Sequence, residues 1–470
     1  MNASANKEII LRLYAEAVDQ ARHEEVITEQ IVHPDAVMHN ALHSDLRGPE
    51  VLRSTWRSLH ASFSDLRFEL DDVIADGDVV AVRGTTTGRH TGVFRGKPGT
   101  GRPIAQRAHM FYRFEDGRIR EVWPLVDHAG LAGQLEDPDD AQLQSVLDLA
   151  TGFWRARALI SGVELGLFTL LGKEPADLAT VRATLGLDAT GTADFLDALV
   201  ALGVLQRGDD GRYRNSPAAH RHLDENSDAY VGGFLKFMGY SLYPAWSRLT
   251  GLLRTGARQE GQDSFSDWYR DLDQVRGFME AMDSVCAPVT AALGEAFDWS
   301  AVSTVADLGG ARGNLVARLV RRHPHLTGEC FDLPAVQPLF DEHMSALGTA
   351  DRVTFRGGDF RTDALPEADV LIFGHILHDW DEETRALLVR RAFDAVRPGG
   401  ALLIYDELLD DDRRGPARSL LMSLNMKLVR TGGSEYTAEQ CRTWLLDAGF
   451  SDVSVRSLTA TERLVVARKP

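Results

Sequence analysis

Cysteine is scarce in this chain: Cys286, Cys330 and Cys441 are the only three among 470 residues. They are odd in number and lack ligand spacing. Neither a disulfide framework nor a zinc site is expected, and a reducing cytoplasm is the simplest home. No apolar run approaches the roughly 20 residues that a membrane-spanning helix needs. The opening MNASANKEIILRLY has no basic n-region and no apolar h-region, so no signal peptide is expected. Positive charge is also short, with 51 Lys+Arg against 69 Asp+Glu and a net charge of −18. That balance argues against nucleic acid and anionic membrane surfaces as partners, because both reward basic faces. Internal repeats and low-complexity tracts are missing as well.

The chain has the length of about three domains. Its most informative stretch is VADLGGARGNLVARLVRRHPHLTGECFD, from Val305 to Asp332. An apolar strand ends in Asp307, a turn carries Gly309, Gly310 and Gly313, and a helix follows with Leu315, Val316, Leu319 and Val320. A second strand ends in Asp332. This is the layout of a nucleoside cofactor site at the carboxyl ends of adjacent parallel strands. Glycines let the backbone approach the ligand, and the acid accepts from ribose hydroxyls. Taken alone, the pattern fits NAD, FAD or S-adenosylmethionine.

The acidic stretch Glu136-Asp137-Pro138-Asp139-Asp140 marks a seam, with strand-rich sequence before it and helical sequence after it. Residues 1–135 open with an amphipathic helix, Lys7 to Asp19, and a second, about Pro49 to Phe63. The strands LRFELDDVIA, VVAVRGTTTGRH, AQRAHMFYRF and RIREVWPLV follow, separated by turn residues. Helices and then a curved antiparallel sheet give an α+β order that can wrap one cavity. GPEVLR, FSDLRFELDDVIADGDVVAVRGTTTGRHTG, FYRFEDGRIREVW and Asp127 resemble the SnoaL-like polyketide cyclases of the nuclear-transport-factor-2-like cone fold. The cavity is expected to hold His39, His43, His109, Trp123 and Asp127, and by alternation Arg107, His109 and Phe111 share one strand face. The resemblance implies that Asp127 is the acid/base of an intramolecular aldol closure, which requires an apolar cavity to raise its pKa. The alternative is that Asp127 caps the helix AGLAGQL behind it.

Residues 142–300 read as mostly helical. Leu143 to Leu171 suits a helix pair. LATVRATLGL and TGTADFLDALVALG form a helix-turn-helix, and VLQRGDDGRYR a hairpin, which together make a winged helix. Its would-be recognition helix carries Asp194 and Asp197 and no Lys or Arg, so it would repel phosphate. A dimerisation and scaffold module is expected rather than a winged-helix regulator that binds DNA and senses a small molecule. Residues 301–470 alternate strand and helix, as a doubly wound, Rossmann-like α/β domain does.

LGGARG, FDLP, GDF, LPEAD, LHDW, RPGG, LLDDDRRGP and the LNM…GGSEYT…AGF run resemble the hydroxyindole, caffeate and mitomycin type of small-molecule O-methyltransferases, over roughly residues 145–470. The resemblance implies S-adenosylmethionine as cofactor, an aromatic small-molecule substrate, no metal and a homodimer through the helical region. Its implied cofactor contacts are Asp307, Gly309, Gly310, Asp332, Leu333, Gly358, Asp359, Phe360, His375 and Tyr269. Asp359 could accept from the adenine amino group while Phe360 packs on its ring.

Methyl transfer to a hydroxyl is an in-line displacement that also requires removal of a proton. A phenol has a pKa of about 10, so a neutral imidazole beside it can serve as base. His378 matches the family's base and Glu435 the acid that holds its second nitrogen. Asp406 sits where relatives carry another supporting acid, and Asp379 could be a surface cap. Asn425 matches a polar pocket residue that holds a substrate hydroxyl or amide, or else is satisfied within its own helix. Phe278, Met279 and Met282, with Tyr269, resemble the segment that closes over cofactor and substrate. The sequence departs from the pattern at Ala311, in place of a third glycine, and at Arg312, Cys286 and Gly374. C-methylation, or cofactor-bound chemistry without methyl transfer, remains the alternative on the same scaffold.

Overall fold

The computed structural model describes residues 3–39, 46–136, 138–259, 269 and 271–470. The chain divides into two compact units, Met1–Gly152 and Phe153–Pro470. No described helix is long and apolar enough to cross a membrane.

The first unit is a curved sheet of five strands: β1 (Val32–Met38), β2 (Phe63–Asp76), β3 (Val79–His90), β4 (Pro103–Glu115) and β5 (Arg118–Val126). Their order is β1-β5-β4-β3-β2. All neighbours are antiparallel except β1 and β5. Strand β1 escapes the sequence reading because it is short and contains Pro34. Its place at the sheet edge, where a missing N–H costs no ladder bond, is what tolerates the proline. The expected first helix is two pieces, an α-helix Ala3–Arg12 continued by a π-helical turn Leu13–Val18. The helix Glu50–Ser62 falls where the periodicity places it.

Strand β4 alternates strictly between buried and exposed residues. Ile104, Gln106, Ala108, Met110, Tyr112 and Phe114 form its inner face. The interior is filled with aromatic side chains. Tyr14 stacks on Phe68 at 4.1 Å, meets Trp56 edge-on at 6.1 Å, and shares a 2.6 Å hydrogen bond with the buried Tyr112 hydroxyl.

The second unit begins with helices and a small winged-helix element. The helices Leu178–Leu185 and Thr192–Ala201 precede the two-stranded pair β6 (Leu205–Arg207) and β7 (Tyr213–Asn215). After the long helix Leu272–Ala296 comes a seven-stranded mixed sheet. Its strands are β8 (Thr304–Leu308), β9 (Thr327–Asp332), β10 (Val353–Gly357), β11 (Ala368–Gly374), β12 (Val396–Asp406), β13 (Ser451–Ser457) and β14 (Arg463–Arg468). The order is β10-β9-β8-β11-β12-β14-β13, parallel through β12 with β14 inserted antiparallel. Strands β8 and β11 bury nearly every residue, as strands covered on both faces do. Chain order reverses on passing from β8 to β11, and the carboxyl ends there form the crevice where such sheets bind ligands.

Candidate functional site: a glycine turn beside a histidine–carboxylate cluster

The turn after β8 is shaped by what cannot fit into it. Gly309 adopts φ +81°, and a Cβ there would stand 2.4 Å from Ile376 Cδ1. At Gly310 a Cβ would come within 2.9 Å of both Asp307 Oδ2 and Cys330 Sγ. Ala311 takes φ +49°, the left-handed conformation that the family's glycine would adopt without strain. Its N–H donates to Asp332 Oδ2 at 2.7 Å, so the departure is accommodated by a bond to the neighbouring strand end. The Leu333 N–H donates to Asp332 Oδ1 at 2.7 Å. Each carboxylate oxygen therefore keeps a lone pair for a ligand hydroxyl. Burial pushes Asp332 up to about 6 against those two hydrogen bonds. Burial, and the charge of Asp332, push Asp307 up to about 7. Two buried acids beside a side-chain-free backbone fit a nucleoside carrying hydroxyl donors and positive charge.

Phe360 lies beside this turn, its ring 3.4 Å from where a Gly309 Cβ would be, and meets Trp380 edge-on at 5.8 Å. Gly358 is held close to Phe331, whose ring would stand 2.6 Å from an added Cβ. Asp359 is differently engaged than expected. Both of its oxygens take hydrogen bonds from the Arg361 guanidinium, at 3.1 and 2.7 Å. Tyr269 and Met279 are buried in one cluster with Val336 and Leu339, against which Ala311, Leu333 and Phe278 pack. Phe278 also meets Phe237 at 5.1 Å, and Met282 is half-buried. Arg312 ties the turn to the same long helix through a 2.6 Å ion pair with Asp283.

The second half of the site follows β11. His375 is left-handed at φ +53°, a strained position of the kind that collects at functional sites. A one-turn 3-10 helix, Leu377–Asp379, then presents His378. Its Nδ1 lies 2.9 Å from Glu435 Oε1 and 3.5 Å from Asp406 Oδ1, and the same Asp406 oxygen is 3.6 Å from His375 Nδ1. Asp406 and Glu435 are buried. Burial alone would lower the His378 pKa, but the Glu435 and Asp406 charges outweigh it and lift it to about 9. His375 is likewise raised, burial being overcome by contacts with Asp406 and Cys286. His375, His378 and Asp406 are close enough to share a cation. His378 Nδ1 is also 2.9 Å from Glu435 Oε1, where an ionised carboxylate requires the ring nitrogen to be the donor.

Several expectations are corrected by the geometry. Asp127 does not line an apolar cavity: it is exposed, and its Oδ1 accepts from Gly130 N–H at 2.7 Å as the cap of the helix His128–Leu135. His109 lies on the exposed face of β4, together with Arg107 and Phe111. Trp123 pairs with Phe111 in register, and His39 stacks on Trp123 at 4.7 Å while bonding Glu121, so neither enters the interior. His43 lies outside the described residues. Asn425 is not satisfied within its own helix alone: its Oδ1 accepts from Trp246 Nε1 at 3.0 Å, which leaves a lone pair on that oxygen. Asp379 is no cap, since it pairs with Arg430 at 3.2 Å; Asp381 caps the helix Glu382–Ala395 instead. Gly374 has no room for a side chain, because Tyr405 fills the place a Cβ would take.

Sequence reasoning missed two residues. Tyr436 donates to Asp406 Oδ2 at 2.6 Å, and its position beside Glu435 in GGSEYT was a usable signal. Arg385, buried between the His378 and Glu435 segments, gave none.

Three family models match the chain: a SnoaL-like polyketide cyclase over residues 8–135, an O-methyltransferase dimerisation domain over 147–225, and an O-methyltransferase domain over 246–451. The tetracenomycin polyketide synthesis 8-O-methyl transferase of Streptomyces glaucescens is 51% identical over 326 residues, 69% of this chain and 96% of the relative. An N,N-dimethyltransferase of Streptomyces rimosus is 40% identical over 66% of this chain and 91% of its own. The human N-acetylserotonin methyltransferase, solved in complex with S-adenosylmethionine, superposes with a TM-score of 0.66 at 34% identity, covering 71% of this chain and 98% of that one. With its glycine turn, paired acids and histidine–carboxylate cluster in the family's order, the chain belongs to the S-adenosylmethionine-dependent O-methyltransferases and carries a SnoaL-like domain ahead of them.

Proposed function

We propose that this protein methylates a hydroxyl on an aromatic, polyketide-type small molecule of secondary metabolism, with His378 as the base. The observation that carries the reading is the 2.9 Å contact between His378 Nδ1 and the buried Glu435. It fixes the tautomer, leaving Nε2 as the nitrogen that takes the hydroxyl proton. S-adenosylmethionine supplies the electrophilic methyl group when bound. Asp332 would hold its ribose and the Gly309–Gly310 backbone its methionine part. Asp307 would answer its positive charge, Leu333 and Gly358 would flank the adenosine, and Phe360 would pack on the adenine. His375 and Tyr269 would close the cofactor side, with Phe278, Met279, Met282 and Asn425 toward the substrate. Asp359 enters less directly, through Arg361.

The similarity to an N,N-dimethyltransferase favours one second reading, an amine acceptor on the same scaffold. Incubation with S-adenosylmethionine and a panel of phenolic and amino polyketides decides between them. A methyl ether whose formation collapses in His378→Gln supports the proposal. Methyl on nitrogen or carbon, or undiminished ether formation by His378→Gln, would sink it.

The working division is a cone at residues 1–135, a helical dimerisation part at 142–300 and a methyltransferase part at 301–470. The cone is read as noncatalytic, since its interior is filled by Tyr14, Trp56, Phe68 and Tyr112 and Asp127 is an exposed cap. Along the helix Pro138–Glu164, Leu149 is 83% exposed and Trp154 63%, with Leu143, Val146, Leu147 and Phe153 also exposed. Apolar surface of that kind calls for a partner, and a second copy of the chain is the partner proposed. A cytoplasmic location fits the scarcity of cysteine.

A further inference from the structure

We propose that Arg385 is a positioning residue that holds His378 and Glu435 in register. The inference rests on the reading of His378 as the base. Arg385 stands on the helix Glu382–Ala395 and is 3% exposed, an unusual place for a guanidinium. Its Nε donates to the Leu377 carbonyl at 2.8 Å. Its Nη2 donates to the Ser434 carbonyl, and to Ser434 Oγ at 3.0 Å. Leu377 immediately precedes His378, and Ser434 immediately precedes Glu435. One rigid, planar fork thus grips the residue before each member of the pair, across a sequence gap that no local structure bridges. The two segments are joined once more by the Ser434 N–H, which donates to the His378 carbonyl at 2.9 Å.

The guanidinium is itself located by aromatic rings. Its Cζ lies 5.0 Å from the Tyr436 ring centroid and 5.7 Å from that of Trp444. Tyr436 in turn bonds Asp406, so the same side chain steadies the second carboxylate facing His378. Among the described residues the hydrogen bonds of Arg385 go to carbonyl and hydroxyl oxygens, with no ion pair to repay its burial. Burial pushes its pKa down, in part offset by Tyr436, Asp406 and Glu435. A buried cation kept at that cost, with Nε and Nη2 both bonded to two active-site segments, is suited to fixing a geometry. Lysine, with a point charge on a flexible stem, would not hold both carbonyls at once.

The test uses the full-length protein and three variants, Arg385→Met, Arg385→Lys and His378→Gln. The imidazole of His378 is titrated by NMR with ring-labelled histidine, its signal identified by its loss in His378→Gln. In wild type it is expected to titrate well above an ordinary histidine, because Glu435 and Asp406 face it. In Arg385→Met it is expected to fall by at least a unit, as Glu435 slips away. Turnover is expected to drop by about ten- to a hundredfold, the scale that a misplacement of about 1 Å costs. Binding of S-adenosylhomocysteine is expected to stay within about threefold, since Gly309, Gly310 and Asp332 lie at the ends of β8 and β9, away from the Arg385 contacts. Arg385→Lys is expected to show a smaller shift in the same direction, and decides the matter if the methionine variant does not fold. A folded variant with lower thermal stability but an unmoved His378 titration would overturn the proposal, leaving Arg385 merely structural. The titration needs no turnover, so it reads the positioning even if the acceptor proves not to be a hydroxyl. Undiminished methyl transfer by His378→Gln would instead overturn the base assignment.

Discussion

Tyr436 donates a 2.6 Å hydrogen bond to Asp406 Oδ2, which leaves Oδ1 of the same carboxylate facing the rings of His375 and His378. One phenol thereby decides which oxygen of a fully buried acid serves the active site. Without that bond the acid would keep its burial penalty and lose a compensating donor.

Tyr436→Phe is therefore expected to cost stability out of proportion to one oxygen atom. A hydrogen bond to a charged group contributes about 1.5–3 kcal/mol, and the carboxylate left behind is buried. Turnover is expected to fall severalfold, because Asp406 can then rotate away from His378. Cofactor affinity is expected to be unchanged. Thermal melts and steady-state kinetics on the same preparation check this. A variant as stable as wild type would contradict it.

The second expectation concerns pH. His378 is raised to about 9 by Glu435 and Asp406, against the effect of burial, so in the ligand-free site it is protonated at neutrality. A base must be neutral, and kcat/KM is expected to climb nearly tenfold per unit through neutral pH, levelling toward pH 9. Glu435→Gln removes the nearer carboxylate and the larger of the two charge effects on His378, so its profile should level off at lower pH, with a lower plateau because the ring is less well held. The sign is the discriminating point. A limb that moves to higher pH in Glu435→Gln would mean that Glu435 is not the group raising His378.

The methyltransferase half was legible because its signals are local. Gly309, Gly310 and Asp332 sit in a strand–turn–helix–strand run whose shape follows from short-range sequence. The cone half was legible in fold and misread in detail, for a physical reason. Alternation correctly puts Arg107, His109 and Phe111 on one face of β4, but alternation says nothing about which face is inside. The inner face proved to be the one carrying Met110, Tyr112 and Phe114. Arg385 was illegible because its partners, Leu377 and Ser434, are met only in the folded chain. Within its own helix it looks like any other charged position.

Asp127 offers a separation between cap and catalyst. Its Oδ1 accepts from the Gly130 N–H, so Asp127→Ala is expected to cost about 1 kcal/mol of stability, the usual worth of an N-cap. Asp127→Asn, which keeps an acceptor, is expected to cost much less. Neither should change methyl transfer. If Asp127→Asn abolished formation of a cyclised product while leaving the melt untouched, the cone would be an enzyme after all.

The last expectation couples cofactor binding to stability. Burial pushes Asp332 from the usual carboxylate range up to about 6. A raised folded-state pKa means that the folded protein holds a proton which the unfolded chain has already released. The contribution from Asp332 is fully present below the unfolded value of about 4 and is lost as pH rises through about 6. Above that the ligand-free protein carries an unneutralised buried charge. Asp332→Asn is thus expected to be more stable than wild type at pH 8 without ligand and nearly equal to it at pH 4, while binding S-adenosylhomocysteine at least tenfold more weakly. Calorimetric titration alongside melts at both pH values reads the two effects together. The same acid that costs stability when the site is bare is the one whose free lone pairs are proposed to receive the ribose, so the gain and the loss should arise from a single substitution. A mutant that binds as tightly as wild type would remove Asp332 from the cofactor site.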